Sequence, residues 1–189
     1  MIVTLVILGL VVLLLLWGVA IYNGLVRLRA LVKEGFSGIT VQLRRRADLI
    51  PNLVSIVEGY ATHEREVLTQ VTAHRADAVQ GGSVAATAQA DMAMTGMLGR
   101  LMAVAEAYPQ LKADANFRQL QDELTEVEDN LQSARRYYNA TVRDLNTRIQ
   151  SFPNVLVARP MGFSEEEFYT DTDASIQTAP VVKFGAAQA

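Results

Sequence analysis

Residues 2–22 read IVTLVILGLVVLLLLWGVAIY, and this stretch decides how the rest of the chain is arranged. It contains no charged side chain, and Tyr22 stands at its end, where amphipathic rings favour the membrane interface. About 20 apolar residues in a helix, rising about 1.5 Å per residue, cross the roughly 30 Å hydrocarbon core of a bilayer. The sequence therefore predicts a transmembrane anchor at residues 1–22, with residues 2–22 in contact with the lipid bilayer.

A cleaved signal peptide is the competing interpretation, because Gly18-Val19-Ala20 offers the small residues that a signal peptidase recognises. A signal peptide begins with a basic segment and carries about 7–15 apolar residues. Here only the terminal amine precedes the apolar run, which is longer than that. We therefore expect a retained anchor. A lipid-modified cysteine is excluded, since the sequence contains no cysteine.

The basic residues that flank the anchor predict its orientation. No Lys or Arg precedes it, whereas Arg27, Arg29 and Lys33 follow it closely. Cytoplasmic flanks of membrane helices carry the excess of basic side chains. We therefore expect a single-pass protein of the cell (inner) membrane, with the N-terminus outside and the C-terminal domain in the cytoplasm.

The composition beyond the anchor predicts an all-α fold. Gly and Pro are sparse at residues 39–80 and 110–150, which are rich in helix-forming Ala, Leu, Glu, Gln and Arg. No stretch alternates polar and apolar residues long enough to indicate a sheet. The formal net charge of −3 gives no reason to expect nucleic acid as a partner.

We therefore predict an N-terminal single transmembrane helix, an antiparallel bundle of about four long helices at residues 23–152, and an extended C-terminal tail. Breaks in the pattern place the bundle helices at about 23–46, 48–79, 84–106 and 114–152. Asp48 and Pro51 suit a helix start, and Pro153 suits a helix end. The tail, residues 153–189, is expected to pack first as a strap and then to be partly disordered.

The clearest predicted helix, residues 114–152, carries apolar residues at alternating steps of three and four. Such a heptad pattern is typical of long helices that pack at shallow angles. The predicted seam consists of Phe117, Leu120, Leu124, Val127, Leu131, Ala134, Tyr138, Thr141 and Leu145.

Residues 84–106 leave two interpretations open. Asp91, Arg100 and Glu106 are the only charged residues there, and four methionines stand among many alanines. This helix is either buried on most sides, or it forms an adaptable Met-rich surface for a partner or for self-association.

The run Arg44-Arg45-Arg46 also has two interpretations, lipid headgroup binding or a solvated face. In a straight helix these residues lie about 33 Å beyond Tyr22. That is several Debye lengths from the headgroups, so the attraction would be screened. We expect a solvated face with an internal ion pair, for instance to Asp48.

No catalytic, cofactor-binding or metal-binding residue can be assigned from the sequence. His63-Glu64 resembles the start of a zinc-protease motif, but Val67 occupies the position that the second histidine would need. No glycine-rich phosphate loop or nucleophile-elbow sequence occurs, and without cysteine a structural zinc site is not expected. We therefore expect a protein that is not an enzyme.

Several segments resemble the LemA proteins. They include VQLRRRADLIPNLV at residues 41–54, GYATHE at 59–64, LQDEL at 120–124 and ARRYYN at 134–139. The resemblance covers nearly the whole chain and is weakest in residues 84–106 and at the C-terminal end. It implies a bacterial single-pass membrane protein with an outside N-terminus and an antiparallel bundle of long helices. It implies no mechanism, because the family has no agreed biochemical role.

The polar residues in these matching segments fit an internal structural network. We expect ion pairs of Arg45 with Asp48 and of Arg135 with either Glu64 or Glu123, and asparagines that cap or bridge helices. The full predicted set is Arg45, Asp48, Pro51, Asn52, His63, Glu64, Glu123, Arg135, Tyr138, Asn139 and Asn146.

Two functions are compatible with these features. The first is a non-enzymatic scaffold or assembly unit in the bacterial cell envelope, which forms homo-oligomers or docks other envelope proteins. The second is a ligand- or lipid-responsive sensor or adaptor that binds between bundle helices, with a cavity near Tyr60, His63 and Tyr138. No cofactor is expected for either function.

Overall fold

A computed structural model describes residues 1–60 and 82–170 of the chain. These residues form helices and no strand, so the predicted all-α fold with an N-terminal apolar helix is confirmed. The helices are α1 (Ile2–Tyr60), α2 (Val84–Glu106), α3 (Pro109–Ala113), α4 (Ala115–Gln150) and α5 (Val155–Ala158).

The membrane anchor and the first bundle helix are one continuous helix. α1 contains 59 residues, which corresponds to a length of about 88 Å. Its side chains stay uncovered by the rest of the protein until Ile21, where a buried stripe begins and continues to Val57. In the described part of the chain, α1 is the one helix long and apolar enough to cross a membrane. This apolar span supports a membrane location for the protein, and it continues without a break into the bundle.

The predicted helix start at Asp48 and Pro51 is wrong. Pro51 lies inside α1, although a proline in a helix interior removes a hydrogen bond and costs about 3 kcal/mol or more. Ala47, Ile50 and Leu53 are fully or almost fully buried on either side of this position. Because the same face of the helix is buried before and after Pro51, packing holds the chain helical where the local signals favour a break.

The main packing partner of α1 is α4, whose heptad seam is the one predicted. Phe117, Leu131, Tyr138 and Leu145 are all at most 1% exposed. The side chain of Asp114 caps the helix by accepting hydrogen bonds from the backbone N–H groups of Asn116 (2.8 Å) and Phe117 (3.1 Å). The long helix therefore lies along α1 with its apolar seam facing inward.

The apolar residues form two clusters stacked along α1. The distal core joins buried residues of α1 between Ala47 and Val57 to α2, α3 and the first turns of α4. The proximal core, nearer the anchor, joins α1 between Ile21 and Leu43 to the second half of α4 and to the tail. Arg46 is the α1 residue at the junction of the two cores.

Helix α2 is buried along one face only. Met94, Leu98 and Leu101 are buried in the distal core, whereas Ala93 and Gly96 on the other face are exposed. Ser83 caps its start by accepting a hydrogen bond from the N–H of Ala86 (3.2 Å). Met94 is buried, and Met97 and Met102 pack against the distal core. Neither interpretation of residues 84–106 therefore holds: the helix is not buried on most sides, and its methionines do not form an exposed surface.

A substitution of Gly35 tests the close packing of α1 on α4. A Cβ atom at Gly35 would lie 3.1 Å from the Cα of Tyr138 and 3.3 Å from the Cδ1 of Tyr137, whereas one at Gly24 would meet nothing within 4 Å. Gly24→Ala should stabilise α1 by up to about 1 kcal/mol through helix propensity. Gly35→Ala should instead destabilise the protein by about 1–3 kcal/mol, because the two helices must move apart.

The measurement is thermal unfolding of the full-length protein in detergent, followed by circular dichroism. Gly24→Ala is the matched control in the same helix. Equal midpoints for the two variants would contradict the close contact.

Candidate functional site

A buried carboxylate, Asp91 of α2, lies between the two cores. It is 2% exposed, and its neighbours along the buried face of α2 are Ala88 in the proximal core and Met94 in the distal core. A charged group removed from water in this way costs several kcal/mol unless it is paired and hydrogen-bonded. The residues around it therefore have to supply compensating charge.

Arg46 of α1 is the first partner of Asp91. Its Nη1 atom donates to Asp91 Oδ1 (3.1 Å) and to the hydroxyl of Thr95 (3.0 Å). Thr95 in turn donates to the backbone carbonyl of Asp91 (3.0 Å), one turn earlier in α2. The arginine side chain is 8% exposed, so the ion pair between α1 and α2 is closed to solvent.

Arg135 and Glu128 of α4 are the other charged residues described in contact with this ion pair. Arg135 donates from Nη2 to Asp91 Oδ2, and Glu128 lies 3.4 Å from Arg46 Nη1 and 3.9 Å from Arg135 Nη1. Burial alone would lower the pKa of Arg135, but the attraction and hydrogen bond of Asp91 outweigh it and raise that pKa. Among residues 1–60 and 82–170, two arginines and two carboxylates therefore meet in one cluster across three helices.

Tyr169 connects the tail to this cluster. Its hydroxyl donates to Asp91 Oδ2 (2.6 Å), and its ring lies 5.5 Å from the guanidinium carbon of Arg135. Burial and the hydrogen bond to Asp91 raise the pKa of Tyr169 well above its ordinary value. The tyrosine is therefore a permanent donor at neutral pH, and it holds residue 169 against α2 and α4.

Two asparagines of α4 bind the tail backbone, each through one donated and one accepted hydrogen bond. Asn146 donates to the carbonyl of Glu166 (2.9 Å) and accepts from its N–H (2.9 Å). Asn139 makes the same two bonds with Tyr169, at 2.9 and 2.8 Å. Seven helical residues span about 10.5 Å, and three extended residues span about 10 Å, so the two spacings match. The tail therefore lies antiparallel to α4 as an extended strap.

Tyr138 binds the strap at Glu167, between the residues that Asn146 and Asn139 bind. Its hydroxyl donates to the carbonyl of Glu167 (2.7 Å), and its ring packs near Phe36 of α1 with the ring centroids 5.8 Å apart. Burial, with the neighbouring carboxylates of Glu166 and Glu167, raises the pKa of Tyr138 to about 12. The tyrosine therefore joins α1, α4 and the strap in its protonated form.

This arrangement is suited to holding elements together. Each oxygen of Asp91 accepts a bond from an arginine, and one also accepts from Tyr169, so the carboxylate is fully engaged. At physiological pH Arg135 is charged and Tyr169 neutral already at ordinary pKa values, and the raised pKa of each moves it further from titration. Within residues 1–60 and 82–170, no group of three His, Asp or Glu side chains could hold a metal ion.

The predicted network residues fall into three groups. Arg135, Tyr138, Asn139 and Asn146 lie in the Asp91 cluster or on the strap. Arg45, Asp48 and Asn52 are exposed on α1, Pro51 is half-buried, and Glu123 accepts a hydrogen bond from Gln119 (2.9 Å). His63 and Glu64 lie outside the described residues.

The expected pair of Arg135 with Glu123 is wrong. The two residues are twelve positions apart on the straight helix α4, about 18 Å along its axis. Among the described residues, Asp91 and Glu128, and not Glu123, are carboxylate partners of Arg135. The pair of Arg45 with Asp48 stays a prediction.

The sequence analysis missed Arg46, Asp91, Glu128 and Tyr169 as network members. For Arg46 and Asp91 the helical spacing could have indicated burial. Arg46 follows buried Leu43 by three residues and precedes buried Ile50 by four, and Asp91 follows buried Ala88 by three. A charge in an apolar stripe requires a partner. Tyr169 lies in an extended segment, and no periodic pattern indicates its burial.

The fold and this cluster define a class of protein: a membrane-anchored helical bundle whose buried polar residues join its helices and its tail. The sequence profile of the LemA family matches residues 35–184, which is 150 of 189 residues. The chain therefore belongs to the LemA family.

Curated relatives support the same relationship. The chain is 25% identical to magnetosome protein MamQ of Magnetospirillum gryphiswaldense over 81% of its own length and 66% of the relative's. The figures for magnetosome protein MamQ 2 of Paramagnetospirillum magneticum are the same. This chain is also 31% identical to protein LemA of Metamycoplasma hominis, over 62% of its own length and 54% of the relative's. The chain thus spans just under two thirds of the length of the magnetosome proteins that it matches.

Neutralising Asp91 should strongly destabilise the bundle. Asp91→Asn removes the carboxylate that both arginines contact, and breaking a buried ion pair costs about 3–5 kcal/mol. Tyr169→Phe should cost less, about 1 kcal/mol, because both arginines keep their carboxylate.

The measurement is chemical unfolding of the full-length protein in detergent. Asp129→Asn removes an exposed charge from α4 and is the matched control. An Asp91→Asn variant as stable as this control would show that the cluster contributes nothing to the fold.

Alkaline pH should remove the contribution of Tyr138. The pKa of this tyrosine is 10.0 when unperturbed and about 12 in the fold, so its contribution is complete below pH 10 and lost as the pH rises to about 12. The free energy of unfolding of the wild type should therefore fall more steeply through this window than that of Tyr138→Phe, which has no hydroxyl to ionise.

The measurement is the free energy of unfolding of each variant as a function of pH between 9 and 12. Tyr137→Phe changes the exposed neighbouring tyrosine and is the control, which should keep the wild-type slope. Parallel curves for wild type and Tyr138→Phe would contradict the burial of the Tyr138 hydroxyl beside Glu166 and Glu167.

Proposed function

We propose that this protein is a non-enzymatic scaffold or assembly unit in the bacterial cell envelope. In this proposal it is a single-pass protein of the inner membrane, with its N-terminus outside and its bundle in the cytoplasm. The bundle forms homo-oligomers or docks other envelope proteins at a set distance from the bilayer.

The observation that carries the proposal is that these polar side chains form hydrogen bonds and ion pairs within the protein. Asp91, Arg46, Arg135 and Tyr169 bind one another, and Asn139 and Asn146 bind the strap. A catalytic site keeps polar groups available for a substrate. In the described part of the chain these groups are instead bound to the protein itself, which supports a structural role.

The continuity of α1 supports the same role. A helix that passes from the anchor into both cores without a break transmits the position of the membrane to the bundle. Relatives that are named for a cellular structure, the magnetosome, rather than for a reaction also support a part in an assembly. Arg27, Arg29 and Lys33, all exposed just beyond the anchor, support a cytoplasmic bundle.

The sensor alternative is less well supported, because two of its three residues lie far apart. Tyr60 donates to Asp114 (3.0 Å) at the distal end of the bundle, whereas Tyr138 packs against Gly35 and Phe36. Along α1 these places are about 36 Å apart. Tyr60 and Tyr138 therefore do not line one cavity, and His63 lies outside the described residues.

The exposed face of α2 is the surface we propose for self-association. Ala86, Ala93, Gly96 and Ala103 are exposed there, and Gln89 and Arg100 are the larger exposed residues on the same face. Small side chains allow a second helix to approach closely. A Cβ atom at Gly96 would meet nothing within 4 Å, so a larger side chain is accommodated in the isolated protein.

The test is the mass of the full-length protein in mild detergent, measured by light scattering or native mass spectrometry. The wild type should be oligomeric, and Gly96→Glu should shift it toward the monomer. Glu is a better helix former than Gly, so loss of association would not reflect loss of the helix.

Asn130→Glu, an equal charge change on the exposed face of α4, is the control and should remain oligomeric. A strictly monomeric wild type for which crosslinking in intact membranes finds no partner would refute the scaffold proposal.

A further inference from the structure

The segment that follows α4 carries large apolar side chains that the protein leaves uncovered. Phe152, Leu156 and Met161 are 80%, 62% and 61% exposed. Single exposed apolar residues are ordinary, but these three lie within ten residues of each other and beside the membrane anchor. Their position beside the anchor indicates that lipid covers them.

This segment borders the anchor at a depth where the bilayer is apolar. Leu156, Val157, Pro160 and Met161 line a shared groove together with Leu14, Leu15, Gly18, Val19 and Tyr22 of α1. Leu14 lies eight residues before Tyr22, about 12 Å deeper into the apolar span. The segment therefore extends beside the part of α1 that lies within the bilayer, on the side of the bundle.

Much of the backbone of the segment is hydrogen-bonded within the segment, which lowers the cost of entering lipid. Leu156 donates to the carbonyl of Pro153 (3.1 Å) and Ala158 to that of Asn154 (2.8 Å). Met161 donates to Val157 (3.2 Å), and Phe163 donates to Ala158 (3.0 Å). Arg159 is exposed, and its long side chain can reach from the segment back to the headgroups.

A second groove beside α1 is basic at the depth of the headgroups. Arg27, Arg143 and Arg148 line it with Trp17 and Phe152. Arg27 lies five residues beyond Tyr22, about 7.5 Å, and the headgroup layer on each side of a bilayer is about 5–7 Å thick. Asp144 is the acidic residue of this lining, so three arginines and one carboxylate leave a charge of +2. Guanidinium groups bind phosphate through paired hydrogen bonds.

We propose that the anchor-side end of the bundle is a second membrane contact. Residues 152–161 insert into the leaflet beside the anchor, and Arg27, Arg143 and Arg148 bind the phosphate of an anionic phospholipid. The proposal rests on the membrane anchor and does not depend on the scaffold function, since a monomer would make the same contact.

The depth of the segment is tested with a spin label in lipid nanodiscs. The sequence has no native cysteine, so Leu156→Cys and, as a control on the exposed face of α4, Asn130→Cys each carry one label. The Leu156→Cys label should relax strongly with oxygen and weakly with a water-soluble nickel complex, and the control should do the reverse.

A label at residue 156 that is as accessible to the nickel complex as the control would overturn the insertion. Shielding from both reagents with spin–spin broadening would place a second copy of the chain there, and would overturn it as well.

The basic groove is tested by titrating full-length protein with phosphatidylglycerol or phosphatidylcholine in native mass spectrometry. Exchanging Arg27, Arg143 and Arg148 for Gln should weaken phosphatidylglycerol binding by at least about tenfold and leave phosphatidylcholine binding unchanged. The control exchanges three exposed arginines outside the groove, Arg44, Arg118 and Arg136, for Gln. Equal losses in the two triple variants, or no preference for phosphatidylglycerol in the wild type, would overturn the binding site.

Discussion

The charge of Asp91 is the constraint on which the rest of the bundle depends. Burial of a carboxylate is unfavourable by several kcal/mol unless partners compensate it, and the partners come from three separate segments. Arg46 belongs to α1, Arg135 to α4 and Tyr169 to the strap. The two apolar cores attract without direction, whereas each of these hydrogen bonds requires a particular distance and angle. The Asp91 cluster is therefore the feature that selects one register for α1, α2, α4 and the strap.

The strap shows how an irregular segment can be bound to a helix without a sheet. The side-chain amides of Asn139 and Asn146 each offer one donor and one acceptor, as a backbone peptide does. They are two turns apart on α4, and the residues they bind, Tyr169 and Glu166, are three apart in an extended chain. Since the helical and the extended spacings agree, one face of α4 serves as a pairing edge for the strap.

The anchor takes part in the same architecture. α1 enters the proximal core at Ile21 and the distal core at Ala47, so the residues that cross the bilayer and those that meet Asp91 belong to one helix. Pro51 does not interrupt it, because buried contacts on both sides hold the helix together. A scaffold that presents a surface at a set distance from a membrane requires this stiffness. The second membrane contact proposed for residues 152–161 would also restrict the tilt of the bundle.

The sequence by itself determined the features that depend on local pattern. Charge-free residues 2–22 indicated the anchor, and steps of three and four indicated the buried seam of α4, because periodicity reports which face of a helix meets the core. It also indicated the start of α4, where the Asp114 side chain caps neighbouring backbone groups, and it placed the end of that helix two residues beyond Gln150.

Only the tertiary structure decided which buried residues meet. The bond from Arg46 to Asp91 joins residues 45 positions apart, and that from Tyr169 to Asp91 joins residues 78 positions apart. It placed Asp91 opposite Arg135, and it kept α1 helical past Pro51 against the local signals. The physical reason is that a residue's face on its own helix follows from nearby sequence, whereas its partner depends on how separate helices align when their cores and charges pack together.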